Sequence, residues 1–159
     1  MKTFFYIFIL LIFNTCDDNP STPNNNNDNQ INNYFIVDIE ETGESTLFIF
    51  KDTISSLDIN DEIGLFDIGG IIDNQGNIGS ILVGSGIWNG TQLEIVAIMA
   101  IDLSDFGGPI QPGALSGNNL ALRIWDKSEE TQYEATFVTE NGSGTFNGLF
   151  TAVSEIIQE

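Results

Sequence analysis

From Tyr34 onward, apolar and polar residues alternate with the two-residue period of β-strands, in short runs broken by Gly and Asn. Tyr34 to Ile39 is the first such run, and Ser45 to Phe50 follows a turn at Glu41-Thr42-Gly43-Glu44. Ile63 to Asp67 and Ile81 to Trp88 make a third and a fourth. The pair Asn89-Gly90 then predicts a type I′ hairpin into Gln92 through Ile101, because both residues tolerate the left-handed conformation. A second hairpin, Leu120 to Asp126 with Tyr133 to Thr139, turns at Lys127-Ser128-Glu129-Glu130, and Phe146 to Ile156 adds one or two strands. Thr53 to Ile59 has room for a single helical turn, and no 3.6-residue period is long enough for a packed helix. The expected fold is all-β: one antiparallel β-sandwich of the jelly-roll or Ig-like type, with about seven to nine short strands over residues 34–157.

The first fifteen residues follow another pattern. Lys2 precedes an unbroken apolar run from Phe4 to Phe13, which as a helix covers about 15 Å, half of a hydrocarbon core. That is the length of a cleaved export signal, not of a permanent span. Asn14-Thr15-Cys16 closes the run, and the whole resembles a bacterial lipobox, with Phe13, Asn14 and Thr15 where small residues are usual. The resemblance implies that Cys16 is lipidated and that residues 1–15 are removed. Residues 16–33, rich in Asn, Asp and Pro, hold no apolar side chain before Ile31 and are expected to form a disordered tether of about 20 Å mean reach. Asp17-Asp18 directly after the cysteine resembles the surface-export signal of Bacteroidota lipoproteins, which implies display at the bacterial outer membrane or cell surface.

Charge narrows the partners. Four Lys and Arg stand against 23 Asp and Glu, a formal charge of −19, so phosphate backbones and anionic headgroups are repelled and nucleic acid is excluded. The membrane is reached through the lipid anchor alone. With no His and one Cys, the chain lacks Ser-His, Cys-His and His-metal chemistry, and carboxylates are the only remaining catalytic groups. Glu94 is the most rigidly placed of these, without an evident partner, and its alternation with Leu93 and Ile95 marks the outer face of a strand. No catalytic residue is assigned.

Three segments, Asp61-Glu62-Ile63-Gly64-Leu65-Phe66, Val83-Gly84-Ser85-Gly86-Ile87-Trp88 and Arg123-Ile124-Trp125-Asp126, occur in the order D-E-I-G-x-F, V-G-x-x-x-W, R-x-W-D. In this the chain resembles β-sandwich modules of secreted and surface proteins of Bacteroidota, over about Leu57 to Phe137. The resemblance implies a non-catalytic appendage. Asp102 to Pro109 departs from the acidic stretch such modules carry after the fifth strand.

Two ligand chemistries suit these residues. Asp58, Asn60, Asp61 and Glu62 offer clustered oxygens for Ca²⁺, although Ile63 and Gly69 stand where an EF-hand loop needs Gly and Glu. Asp73 to Asn77 and Asp102 with Asp105 are weaker clusters of the kind that turns also produce. A glycan would instead use rings, and Trp88, Trp125 and Tyr133 are available. Core burial is the ordinary fate of a Trp in a β-sandwich. Strand parity sets Trp125 and Arg123 opposite the apolar face Leu120-Leu122-Ile124, beside the hairpin partner that carries Tyr133, so Trp125, Tyr133 and Arg123 form the candidate ligand patch. The expected function is a lipid-anchored envelope module that binds a glycan or a protein. A small secreted carboxylate-dependent glycan hydrolase and an accessory subunit of an outer-membrane complex stand as alternatives.

Overall fold

The computed structural model describes residues 33–158, so the expected signal segment, Cys16 and nearly all of the expected tether lie outside the described residues. The domain is all-β and mostly antiparallel, as the alternation predicts. Its strands are β1 (Ser45–Phe50), β2 (Glu62–Ile71), β3 (Ile78–Ile87), β4 (Leu93–Ile98), β5 (Ile101–Asp102), β6 (Ile110–Gln111), β7 (Ala121–Asp126), β8 (Thr131–Asn141) and β9 (Phe150–Gln158). One 3-10 turn, Ser104–Phe106, joins β5 to β6, and Thr53 to Ile59 forms no helix.

Seven strands form one continuous sheet in the order β3-β2-β7-β8-β9-β1-β4, and β5-β6 is a separate ribbon. Every pairing in the large sheet is antiparallel except β1 with β9, where the first and last strands run side by side. The sheet curls until its two ends meet, which makes it nearly barrel-like. The layers that face each other across the core therefore belong to one ladder.

Alternation decides what lies inside. Phe48 and Phe50 of β1, Ile63 and Leu65 of β2, Ile95 and Ala97 of β4, Leu122 and Ile124 of β7, and Val153 and Ile156 of β9 are all buried. Trp88 and Phe146 are buried in the same core, so Trp88 has the core burial that is a tryptophan's ordinary fate. Thr46 is buried among them with its hydroxyl satisfied, accepting from the Asn147 and Gly148 amides.

Two local expectations are corrected. Asn89-Gly90 is not a type I′ hairpin. Only Gly90 has positive φ, 83°, whereas that turn needs it at both residues, and β3 pairs with β2 while β4 pairs with β1. The reason is that Trp88 is held from elsewhere: its amide donates to the Asp61 carbonyl, its carbonyl accepts from the Asn60 amide, and its ring lies in the core. Asn89 Oδ1 then accepts from the Thr91 amide, an Asx turn that sends the chain away. The second correction concerns Tyr34 to Ile39. It keeps a strand's alternation, with Phe35 buried and Val37 and Ile39 half-buried, yet it joins no ladder. It is a strap laid over the sheet.

Small residues close the curl. Gly84 and Gly86 pair with Leu65 and Ile63 and so face inward on β3, where β4 lies over them. A Cβ on Gly84 would stand 2.7 Å from the Val96 carbonyl oxygen, and one on Gly86 would stand 3.1 Å from the side chains of Ile95 and Leu93. Gly84→Ala is expected to destabilise the domain by about 1–3 kcal/mol, since a backbone carbonyl must move to admit the methyl group. Ser80→Ala, exposed on the same strand, should stay within about 0.5 kcal/mol. Equal denaturation midpoints for the two variants would show that β4 does not press on β3 there.

Candidate functional site

The outer face of β3-β2-β7 carries an aromatic group that the strap completes. Trp125 of β7 pairs across the ladder with Glu62 of β2, and Arg123 pairs with Gly64. Because Gly64 has no side chain, the Phe35 ring settles into its place, within 3.0 Å of where a Cβ would be. Phe35 meets Phe66 edge to face at 5.7 Å, and Tyr34 stacks flat on Trp125 with ring centroids 3.8 Å apart and planes 5° apart. The Arg123 guanidinium lies over Phe66, 4.3 Å from its centroid, and pairs with Glu134 at 3.5 Å.

What holds the strap is a buried acid. Glu62 is 3% exposed, and its two carboxylate oxygens accept from the Tyr34 amide at 2.9 and 2.8 Å and from the Phe35 amide at 3.0 Å. Ser85 adds its hydroxyl to the Phe35 carbonyl at 3.1 Å. Backbone groups that a ladder would have satisfied are thus satisfied by side chains.

Asp61 has a parallel role. It is also 3% exposed, and its carboxylate accepts from the Asp58 amide at 2.8 Å and the Lys127 amide at 3.1 Å, tying the turn before β2 to the β7-β8 hairpin. Asn60 adopts a left-handed φ of 79°, and its amide donates to Trp88. Of the four residues expected to offer oxygens to Ca²⁺, Asp58, Asn60, Asp61 and Glu62, the two buried carboxylates, Asp61 and Glu62, are therefore clamps on backbone amides. Among the described residues no three His, Cys, Asp or Glu side chains converge on a metal-sized point.

The weaker acidic clusters are turn locks. The carboxyls of Asp73, Asp102 and Asp126 are held below the usual carboxylate range, chiefly by the Asn77 side chain, the Ser104 side chain and the Glu129 amide respectively. Each lock is intact above the ordinary aspartate value and is lost as pH falls through the lowered one.

The candidate ligand patch is only partly brought together. Trp125 and Arg123 share the outer face as parity requires, but Trp125 is half-buried beneath Tyr34 and Arg123 is packed on Phe66 instead of reaching freely into solvent. Tyr133 is corrected: it pairs directly with Ile124 and so faces inward, against the core. Burial pushes its phenol above the ordinary tyrosine value, against a hydrogen bond received from Gln158 at 2.8 Å. The ring that belongs beside Trp125 is Tyr34, overlooked because nothing in local alternation shows that a strap will cross the sheet. Glu94 is exposed and shares a hydrogen bond with Gln92 only.

The loop that returns to β7 is pinned by a third buried acid. Asp67 is fully buried and accepts from the amides of Gly69 and Leu115 and from the Asn118 side chain, at 2.8–2.9 Å. Comparison with protein-family models, with characterised proteins and with solved structures found no match to this chain.

Glu62→Ala is expected to cost about 1–3 kcal/mol, because it leaves two strap amides without their acceptor. Tyr34 should then leave Trp125, giving a red-shifted tryptophan emission while buried Trp88 is unchanged. Unaltered emission and stability would show that the strap does not depend on this carboxylate.

Proposed function

We propose that this chain is an exported, lipid-anchored protein of the bacterial cell envelope whose β-domain binds a neutral glycan and performs no catalysis. The observation that carries the reading is the Tyr34–Trp125 stack, two parallel rings on the outer face of the sheet with Tyr34 46% exposed. Flat aromatic surfaces in solvent suit the apolar faces of pyranose rings, and a strongly acidic protein does not repel a neutral sugar. On this reading the curled sheet works as a jelly-roll or Ig-like sandwich module would, as a rigid plate presenting a side-chain patch. Its ring platform is prearranged, since Glu62 and Phe35 fix Tyr34 before any ligand arrives.

Anchoring rests on the pattern from Lys2 to Cys16. Tyr34 follows directly on the expected tether, which brings the proposed binding face to the end of the chain nearest the lipid. The buried acids bear on the hydrolase alternative, because the carboxylates of Asp61, Glu62 and Asp67 are turned to amide donors of the protein itself and away from solvent, where a substrate would have to reach them.

In cells expressing the full chain, Cys16→Ser should move the protein from the membrane to the soluble fraction. That soluble form should be retarded in native gels cast with a neutral polysaccharide, and Tyr34→Ala should abolish the retardation while costing under about 1 kcal/mol of stability. Membrane retention of Cys16→Ser, or equal retardation of Tyr34→Ala, would contradict the corresponding half of the proposal.

A further inference from the structure

The two ends of the curled sheet touch without pairing. The Ile98 carbonyl accepts from the Ala114 amide, away from β1. By the alternation of an antiparallel strand, the peptide groups of Val96 and Glu94 point the same way, to the side where no strand is laddered to β4. Over this seam lies an open groove of about 510 Å³. Val37 from the strap, with Val96 and Ile98 from β4, supplies apolar lining, and Val96 is 55% exposed. Glu41, Glu44 and Glu94 supply charge, and no Lys or Arg lines the groove.

We propose that this seam is a docking groove for an extended segment of a partner protein bearing Lys or Arg at alternate positions. An extended segment presents its side chains with the same two-residue period as the outer face of β4, where Glu94, Val96 and Ile98 alternate with buried residues, so apolar residues meet Val96 and Ile98 while cations meet the three glutamates. Charge complementarity selects this occupant over two others. The chain's own N-terminal part has no basic residue between Lys2 and Lys51 and carries Asp17, Asp18 and Asp28, so it is repelled. A second copy brings another net charge of −19. The groove is separate from the Tyr34–Trp125 stack, and the proposal stands independently of glycan binding.

Fluorescence anisotropy with a short labelled peptide of alternating Lys and Val tests it, using the Cys16→Ser protein. Saturable binding is expected, weakened about tenfold by Glu44→Gln with Glu94→Gln and unaffected by Glu129→Gln with Glu130→Gln on the distant hairpin turn. A peptide of alternating Glu and Val should not bind. Absence of saturable binding, or equal weakening by both double variants, would overturn the proposal, the latter by reducing it to diffuse attraction. Dimerisation in sedimentation that Val96→Lys dissolves would overturn it in favour of a second copy.

Discussion

The approach of β4 to the inner face of β3, across Gly84 and Gly86, turns an open seven-stranded sheet into an enclosed core. Without it the sheet would have two free edges and a half-exposed apolar face carrying Phe48, Phe50, Leu65 and Ile95. The contact is made by packing and not by a ladder. Side chains of Leu93 and Ile95 occupy the space that a Cβ at position 86 would need, and the Val96 carbonyl occupies the space at position 84. The groove lies over this contact, between β4, β3 and the residues around Glu41 to Ser45.

The second constraint is the disposal of charge. A chain of net charge −19 still buries Asp61, Glu62 and Asp67, and each accepts backbone N–H groups from segments that have no ladder partner. Carboxylates here do the work that main-chain carbonyls do in a regular sheet: they fasten the strap, the turn before β2 and the loop before β7. Such hydrogen bonds to a charged acceptor are individually stronger than neutral ones, which suits the fastening of isolated segments.

This also explains which features were legible in the sequence. Strand identity was, because burial on one face writes a two-residue period into β1, β2, β7 and β8. The hairpin of β7 with β8 was legible because its turn is local, with the Asp126 carboxylate accepting from the Ser128 and Glu129 amides. Partnership over long distances was not. Asn89-Gly90 has the composition of a hairpin turn, yet Trp88 is bound by Asn60 and Asp61, nearly thirty residues earlier in the chain, and that overrides the local preference. Tyr34 to Ile39 has a strand's alternation because it buries one side, but only the three-dimensional position of Glu62 decides that it is fastened by a side chain. The acidic run Asp58 to Glu62 is as consistent with clamping backbone amides as with cation ligation, and Tyr133 was assigned to the wrong face because register across the hairpin pairs it with Ile124. The segments Asp61 to Phe66, Val83 to Trp88 and Arg123 to Asp126 fall on or beside β2, β3 and β7, adjacent in the sheet, and they supply two of the acid clamps, the glycine contacts and the tryptophan of the aromatic stack.

Amide hydrogen exchange across β4 tests the closure most directly. Ile95 and Ala97 direct their amides to β1, whereas Glu94 and Val96 direct theirs to the seam. Strong protection at Ile95 and Ala97, with exchange orders of magnitude faster at Glu94 and Val96, is the result expected of a sheet closed by packing. Equal protection at all four amides would contradict it, since it would require a hydrogen-bonded ladder between β3 and β4.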